Sequence, residues 1–342
     1  MTYSDAVTTI GIVGASGYVG AELLRLCAGH PDFEVAWASA DTQAGTSMGD
    51  LYPSLRAVYP TGVLQSLRPG MAGDVDAVFL ALPHGESQVL VSELRGPKIV
   101  DLAADFRLRD PAVYARWYGH EHHAPELLGT FPYGLPELFR DEVAKSDAVA
   151  VPGCYPTAAA LALVPLARAG VIELTGVVVD AASGASGAGR APKPATTFGA
   201  VNEDFRAYGV LDHRHTPEME QVIGAQLLFT PHLAPMTRGI LATCYARAAA
   251  PTSTDDLLAR LGEAYAGEPF VVVSPEPPST KATWGSNSVH LSARYDERTG
   301  WVVVLAALDN LVKGAAGQAV QCLNLMLGLG ETTGLPAAGI YP

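Results

Sequence analysis

Short, almost wholly apolar runs recur through the first hundred residues, a pattern that predicts buried strands. Residues 9–13 form the first run, followed by Gly14-Ala15-Ser16-Gly17-Tyr18-Val19-Gly20 and then by an amphipathic stretch at 21–28. Strand, tight glycine loop and helix, with a second apolar run at 33–38 where a crossover would return, make a βαβ unit. Further runs at 77–82 and 99–102 continue it, so this half is predicted to be α/β, a doubly wound parallel sheet.

Beyond Cys154 the periodicity changes. After a helix-like run at 158–169, residues 176–182, 240–246, 270–273, 289–295 and 301–307 read as strands in close succession. Val289-His290-Leu291-Ser292-Ala293-Arg294-Tyr295 alternates apolar and polar positions, as a strand with one wet face does. The expectation is a second, α+β domain with a mixed, largely antiparallel sheet. An amphipathic run at 311–329 predicts a long helix returning to the first domain. The resulting division is residues 1–150, joined by a C-terminal helix at 313–342, and residues 151–312. The sequence contains no internal repeat and no low-complexity tract, only a flexible-looking Gly/Ala/Ser segment at 182–190.

At 342 residues, with 49% hydrophobic and 17% charged positions, the chain is long and apolar enough for two packed domains. Its net charge of -13 argues against nucleic acid or an anionic membrane as a partner, since both need basic patches. A small anionic substrate needs only one or two local arginines. The cysteines, Cys27, Cys154, Cys244 and Cys322, are too widely spaced for a zinc ligand pair or a dense disulfide framework, which fits a reducing cytoplasm. No metal site is expected. Met1-Thr2-Tyr3-Ser4-Asp5 lacks a basic leader, and no apolar run reaches the ~18 residues of a membrane span, so a cytoplasmic protein is expected.

Glycines at 11, 14, 17 and 20 place a GxxGxxG run in the first strand-to-helix turn, where small residues let backbone N–H groups approach a pyrophosphate. Glycine clusters also make ordinary turns; the βαβ setting is what favours a dinucleotide here. The end of the second strand reads Ala38-Ser39-Ala40-Asp41-Thr42. Ser39 suits a 2′-phosphate and Asp41 opposes one, which leaves NADP against NAD undecided at this level.

Cys154 lies in Val151-Pro152-Gly153-Cys154-Tyr155-Pro156-Thr157, at the mouth of the helix expected over 158–169. Helix N-termini favour thiolate over thiol and offer N–H groups to an oxyanion, so Cys154 is a candidate nucleophile; a packed core thiol is the competing reading. His213-Arg214-His215-Thr216-Pro217-Glu218 gathers two imidazoles and a guanidinium where a helix is expected to start at Pro217. Such a His serves as acid or base near a Cys, and Glu218 either orients an imidazole or sits favourably in a helix first turn. Arg107, in Asp101-Leu102-Ala103-Ala104-Asp105-Phe106-Arg107, is either a phosphate ligand or half of a surface pair with Asp105 or Asp110. Ser183-Gly184-Ala185-Ser186-Gly187-Ala188-Gly189-Arg190 reads as a flexible linker or a second cofactor cradle.

Taken together, these segments, with Ala81-Leu82-Pro83-His84-Gly85 and Asp309-Asn310-Leu311-Val312-Lys313-Gly314-Ala315, closely resemble the N-acetyl-gamma-glutamyl-phosphate reductase family of the semialdehyde dehydrogenases along nearly the whole chain. The resemblance implies a Rossmann-type first domain and a catalytic, oligomer-forming second domain in a homodimer or homotetramer. It implies NADPH-dependent reduction of an acyl phosphate through a cysteine thioester, a step of arginine biosynthesis. Cys154 is then the acyl-accepting nucleophile, His215, with His213, the acid/base, and Glu218 part of the catalytic group. Arg107, Ser183 and Arg214 bind substrate. NADP(H) lies at Gly14, Ser16, Gly17, Tyr18 and Val19, with Ser39 at the 2′-phosphate, Pro83 alongside, and Gly184 and Asn310 near the nicotinamide. The family often carries an arginine after that serine, where this chain has Ala40 and Asp41. Rival readings are a reductase of carrier-linked aminoadipyl phosphate in lysine biosynthesis, which calls for a basic docking face, and a non-catalytic dinucleotide sensor.

Overall fold

Parallel pairing accounts for the first half of the chain. In this computed structural model, which describes residues 7–342, β1 (Thr8–Val13), β2 (Phe33–Ser39), β3 (Ala77–Leu80), β4 (Lys98–Asp101) and β5 (Ala148–Ala150) form a sheet in the order β2-β1-β3-β4-β5. Residues 1–6, read above for a leader, lie outside the described residues. Every ladder is parallel, and Val13 pairs with both Ser39 and Leu80, Leu80 with Asp101, and Asp101 with Ala150. The carboxyl ends of all five strands therefore form one row. Chain order reverses across β1, the place where open α/β sheets bind ligands.

Both faces of this sheet are covered, which is why its strands are apolar throughout: Ala77, Val78, Phe79 and Leu80 are all fully buried. One face carries the helices Tyr18–Ala28 and Gly317–Met326, through Leu23, Leu26, Val320 and Leu323; the other carries Trp37, Met71, Val91, Phe106 and Phe131. Among the described residues the unit comprises 7–109 with His122–Pro152 and Ala315–Leu335.

The remainder, Asp110–Glu121, Gly153–Gly314 and Pro336–Pro342, is a second unit. Its strands β6 (Val177–Gly184), β7 (Arg206–Ala207), β8 (Leu227–Ala234), β9 (Ile240–Arg247), β10 (Val271–Val273), β11 (Val289–Asp296) and β12 (Trp301–Leu308) are ordered β10-β11-β12-β9-β6-β8-β7. Four of the six ladders are antiparallel; β10·β11 and β6·β8 are parallel. The helices Cys154–Arg168 and Thr254–Ala264 pack on it, and buried residues alternate with half-exposed ones along β6, β9 and β12. The expected mixed sheet is present.

Three sequence expectations are corrected. The helix expected over 158–169 starts at Cys154, because Pro156 falls in the first turn, where no backbone N–H is needed. The helix expected at Pro217 starts at His215 for the same reason. The run at 311–329 is a π turn at Val312–Ala316 followed by a helix that stops at Met326, so a helix does not extend to 342. Strand β8 escaped sequence reading because Pro231 interrupts it. The proline is tolerated next to a two-residue edge strand, and its carbonyl accepts the Tyr208 N–H.

Candidate active site and dinucleotide cradle

In the first unit the glycine loop has the shape of a backbone cradle. Gly14 has φ +81°, and a Cβ there would stand 2.3 Å from the Ala81 carbonyl oxygen, so the loops after β1 and β3 meet only because residue 14 has no side chain. A Cβ at Gly20 would meet Ala15 Cα at 2.5 Å, which lets the helix lie against the loop. That helix begins at Tyr18 and Val19, and no side chain among the described residues caps it at Gly17. Ser16 contributes its carbonyl to the Tyr52 hydroxyl at 2.7 Å. The Ser39 carbonyl accepts the N–H groups of Gly14 and Ala15, whereas its Oγ is buried and has no partner among the described residues. Asp41 is exposed. An open helix N-terminus at Gly17, a loop closed on Ala81 and Ala15 by glycines without side chains, and a buried hydroxyl at the end of β2 without a partner among the described residues fit a dinucleotide.

In the loop after β4, Arg107 is buried. Its Nε donates to the Val151 carbonyl at 2.8 Å and one terminal nitrogen to the Leu102 carbonyl at 2.9 Å. Asp105 is fully buried and accepts from the Gly85 N–H (2.7 Å), the Ser87 hydroxyl (3.0 Å) and the Gln88 N–H (3.2 Å), which fixes the turn after the exposed Pro83. Burial and the neighbouring Asp105 push the Asp101 carboxyl well above the usual carboxylate range, against the pull of Arg107.

In the second unit, Cys154 is the first residue of a 15-residue helix and the only cysteine that is not buried. Burial pushes the thiols of Cys27 and Cys244 up to about 12. Cys154 instead sits partly exposed at a helix N-terminus with no acid in the first turn. The preceding Gly153 N–H donates to Glu218 Oε1 at 2.9 Å, and Thr157 returns a hydroxyl to the Gly153 carbonyl at 2.9 Å. A Cβ at 153 would stand 2.5 Å from His215 Nε2, so the imidazole edge lies directly on the residue before the thiol. Glu218 thus anchors the Cys154 turn through Gly153.

The two imidazoles differ. His213 accepts the His215 backbone N–H on Nδ1 at 3.2 Å and packs among Tyr155, Tyr208 and Phe229. Burial, then the Arg214 charge, lowers it to about 4, so it is neutral at physiological pH. The His215 ring lies 4.8 Å from that of His213 and 5.9 Å from Tyr155, centroid to centroid. Arg214 sits 5.5 Å over the Tyr118 ring.

The segment at 182–190 is not a flexible linker. Gly184, Ala185 and Ser186 donate their N–H groups to the carbonyls of Gly239, Met236 and Thr237. A Cβ at Gly184 would meet Arg238 N at 2.7 Å, and one at Gly187 would meet Ser183 Oγ at 2.9 Å. Asn310 holds both sides, accepting from the Gly239 N–H at 2.8 Å and donating to the Ser186 hydroxyl at 2.9 Å.

Gly153, Gly314 and Asp309, present in the sequence motifs, were given no role there. A Cβ at Gly314 would stand 2.8 Å from Cys154 Cβ, so Gly314 forms the wall behind the thiol. The fully buried Asp309 caps this turn, its Oδ1 accepting from the N–H groups of Leu311 and Val312 and its carbonyl from that of Gly314. The available signal was a glycine inside an otherwise helical pattern. The structure turns it into a π turn, a form frequent at functional sites.

A family model described as "Semialdehyde dehydrogenase, NAD binding domain" matches residues 9–146, and one described as "Semialdehyde dehydrogenase, dimerisation domain" matches residues 154–310. The N-acetyl-gamma-glutamyl-phosphate reductase of Symbiobacterium thermophilum is 48% identical, covering 97% of this chain and 99% of its own. That of Acidothermus cellulolyticus is 50% identical over the same shares. Among solved structures, aspartate semialdehyde dehydrogenase II of Vibrio cholerae, complexed with ASA, has TM-score 0.72 at 16% identity, covering 95% of this chain and 99% of that one. The Candida albicans aspartate semialdehyde dehydrogenase with NADP has TM-score 0.70 at 17% identity, covering 94% and 99%.

Proposed function

The chain belongs to the N-acetyl-gamma-glutamyl-phosphate reductase family of semialdehyde dehydrogenases, and from that premise we propose that it reduces N-acetyl-gamma-glutamyl phosphate to N-acetyl-glutamate 5-semialdehyde and phosphate with NADPH, in arginine biosynthesis. The observation that carries the reading is the half-exposed thiol of Cys154 at a helix N-terminus, with His215 against the adjoining Gly153.

The Cys154 thiolate attacks the acyl carbon, forming the C–S bond as the C–O bond to phosphate breaks. The phosphate is held by Arg107, and backbone N–H groups of the Cys154 turn face the oxyanion. The dinucleotide, held by Gly14, Ser16, Gly17, Tyr18, Val19, Ser39, Pro83, Gly184 and Asn310, supplies a hydride when bound. His215 gives a proton to the oxyanion of the resulting thiohemiacetal. It takes that proton back as the carbonyl re-forms and the C–S bond breaks, which frees the aldehyde and restores the thiolate. His213, neutral and bonded to the His215 backbone, holds the loop in place, and Glu218 positions Gly153 and with it the thiol. Ser183 and Arg214 serve the substrate.

The protein works as a homodimer or homotetramer built on the half-exposed sheet face that carries Leu241, Tyr245, Trp301, Val303 and Leu305. Its compartment is the cytoplasm, where four free thiols persist. Among the described residues, no helix is long and apolar enough to cross a membrane.

The test is phosphate-dependent NADP+ reduction with N-acetyl-glutamate semialdehyde, beside NAD+ and aspartate semialdehyde, on the wild type and Cys154→Ser. Activity confined to the acetylated substrate and lost in the variant is expected, with NADP+ binding intact. Activity that survives in Cys154→Ser overturns the reading; no activity with any pairing turns it toward the carrier-linked substrate or a sensor.

A further inference from the structure

The segment Pro336–Pro342 belongs to the same unit as Cys154, and it lies clamped against the turn between the short helix Thr280–Thr283 and β11. Three hydrogen bonds make the clamp. The Ile340 N–H donates to the Trp284 carbonyl at 2.7 Å, the Asn287 N–H to the Pro336 carbonyl at 2.7 Å, and the Ser288 hydroxyl to the Ala337 carbonyl at 2.6 Å. Two glycines make the approach possible: a Cβ at Gly339 would stand 2.1 Å from the Ala282 carbonyl oxygen, and one at Gly285 would stand 3.0 Å from Ile340 Cδ1.

The clamped turn reaches the residues behind Cys154 through Asp309. Its Gly285 N–H donates to Asp309 Oδ2 at 2.7 Å. Asp309 is fully buried, and Arg238, 3.6 Å away, is its ion-pair partner. The other carboxylate oxygen accepts the N–H groups of Leu311 and Val312, and the Asp309 carbonyl accepts that of Gly314, whose Cα backs Cys154. A buried carboxylate keeps the orientation its donors impose, because losing one leaves charge uncompensated in a dry site. Through its two carboxylate oxygens and its main-chain carbonyl, Asp309 thus links Gly285 to the backbone of Leu311, Val312 and Gly314.

We propose that residues 336–340 are a strap that positions the Cys154 thiol through Gly285, Asp309 and Gly314, making Ile340 and Asp309 positioning residues for the reaction. The inference rests on the reading of Cys154 as the acyl-accepting nucleophile.

Ile340→Pro removes the N–H that reaches Trp284, and Ile340→Val keeps it. The readouts are kcat, the pH profile of Cys154 alkylation by iodoacetamide, the NADP+ dissociation constant and the melting temperature. Ile340→Pro is expected to lower kcat on the order of ten-fold, less than the ~10²-fold that a full 1 Å misplacement costs, and to slow and shift the alkylation profile. NADP+ affinity and melting temperature are expected to hold, with Ile340→Val matching the wild type. If Ile340→Pro does not fold, Gly339→Ala, which forces the segment off Ala282, takes its place with the same readouts. An unchanged kcat, an unchanged alkylation profile, or a loss shared by Ile340→Val overturns the strap. A Cys154→Ser that still turns over sinks the nucleophile reading; an inert Cys154→Ser beside an unaffected Ile340→Pro sinks the strap alone.

Discussion

Gly153 and Glu218, 65 residues apart, are joined by a 2.9 Å hydrogen bond from the backbone N–H of one to the buried carboxylate of the other. The bond ties the turn that presents Cys154 to the helix that starts at His215. Glu218→Ala leaves a buried N–H without its acceptor, at a cost of about 1–3 kcal/mol, and releases the turn; Glu218→Gln keeps an acceptor at the same reach. Denaturant titration and steady-state rates on both variants are the check. The expected result is a clear loss of stability and kcat in Glu218→Ala and a smaller one in Glu218→Gln.

Gly153→Ala is expected to be severe although the backbone at 153 (φ -67°) accepts any residue. The added methyl would stand 2.5 Å from His215 Nε2, so the imidazole has to move. Overpacking of this kind costs about 1–3 kcal/mol, and displacing His215 from the acid/base place proposed for it about 10²-fold in rate. A crystal structure of the variant should show the His215 ring displaced, and kcat should fall while NADP+ affinity stays.

Stability is expected to fall as pH drops from 6.5 towards 4, in part through His213. Its folded-state value is lowered to about 4 from 6.5, so between those values the unfolded chain takes up a proton that the folded chain refuses. Above 6.5 both states are neutral there and the group contributes no pH dependence. Melting temperatures across this window should slope less in His213→Gln than in the wild type; equal slopes would refute the assignment.

Native protein treated with iodoacetamide at neutral pH should carry one label, on Cys154, because Cys27, Cys244 and Cys322 are buried and burial holds the first two near 12. In denaturant all four should react. Peptide mass mapping reads both results, and a second fast native site would contradict the burial.

Asp41 is exposed beyond the buried Ser39, and in the proposed NADP complex its charge would oppose the 2′-phosphate. Asp41→Asn is expected to tighten NADP+ relative to NAD+ by about two- to five-fold, the effect of an exposed charge contact of ~0.5–1 kcal/mol. Titration of each dinucleotide measures the ratio; no change would place the 2′ position elsewhere.

Strands β1 to β4 and the glycine loop of the first unit were legible because their signals are local, whereas β5, three residues long, was too short to give one. A buried parallel strand is an apolar run, and a cradle needs glycines at fixed spacing in one turn. Cys154 and the His213-Arg214-His215 loop were legible as residue types in short motifs. Strand β8 was not, since Pro231 argues against a strand until a two-residue neighbour makes it tolerable. Nor was the helix start at Cys154, which depends on where the first-turn Pro156 falls.

What the sequence determined by itself, then, is whatever its short-range order encodes: alternation and runs for the two sheets, the loop glycines, the thiol and the imidazoles. Tertiary structure alone decided the partners. Glu218 meets Gly153, Gly314 stands behind Cys154, Asn310 binds Gly239 and Ser186, and Ile340 reaches Trp284. These pairs are separated by tens to more than a hundred residues. Each depends on backbone approach and on buried donors finding acceptors, conditions that exist only once the chain has closed on itself.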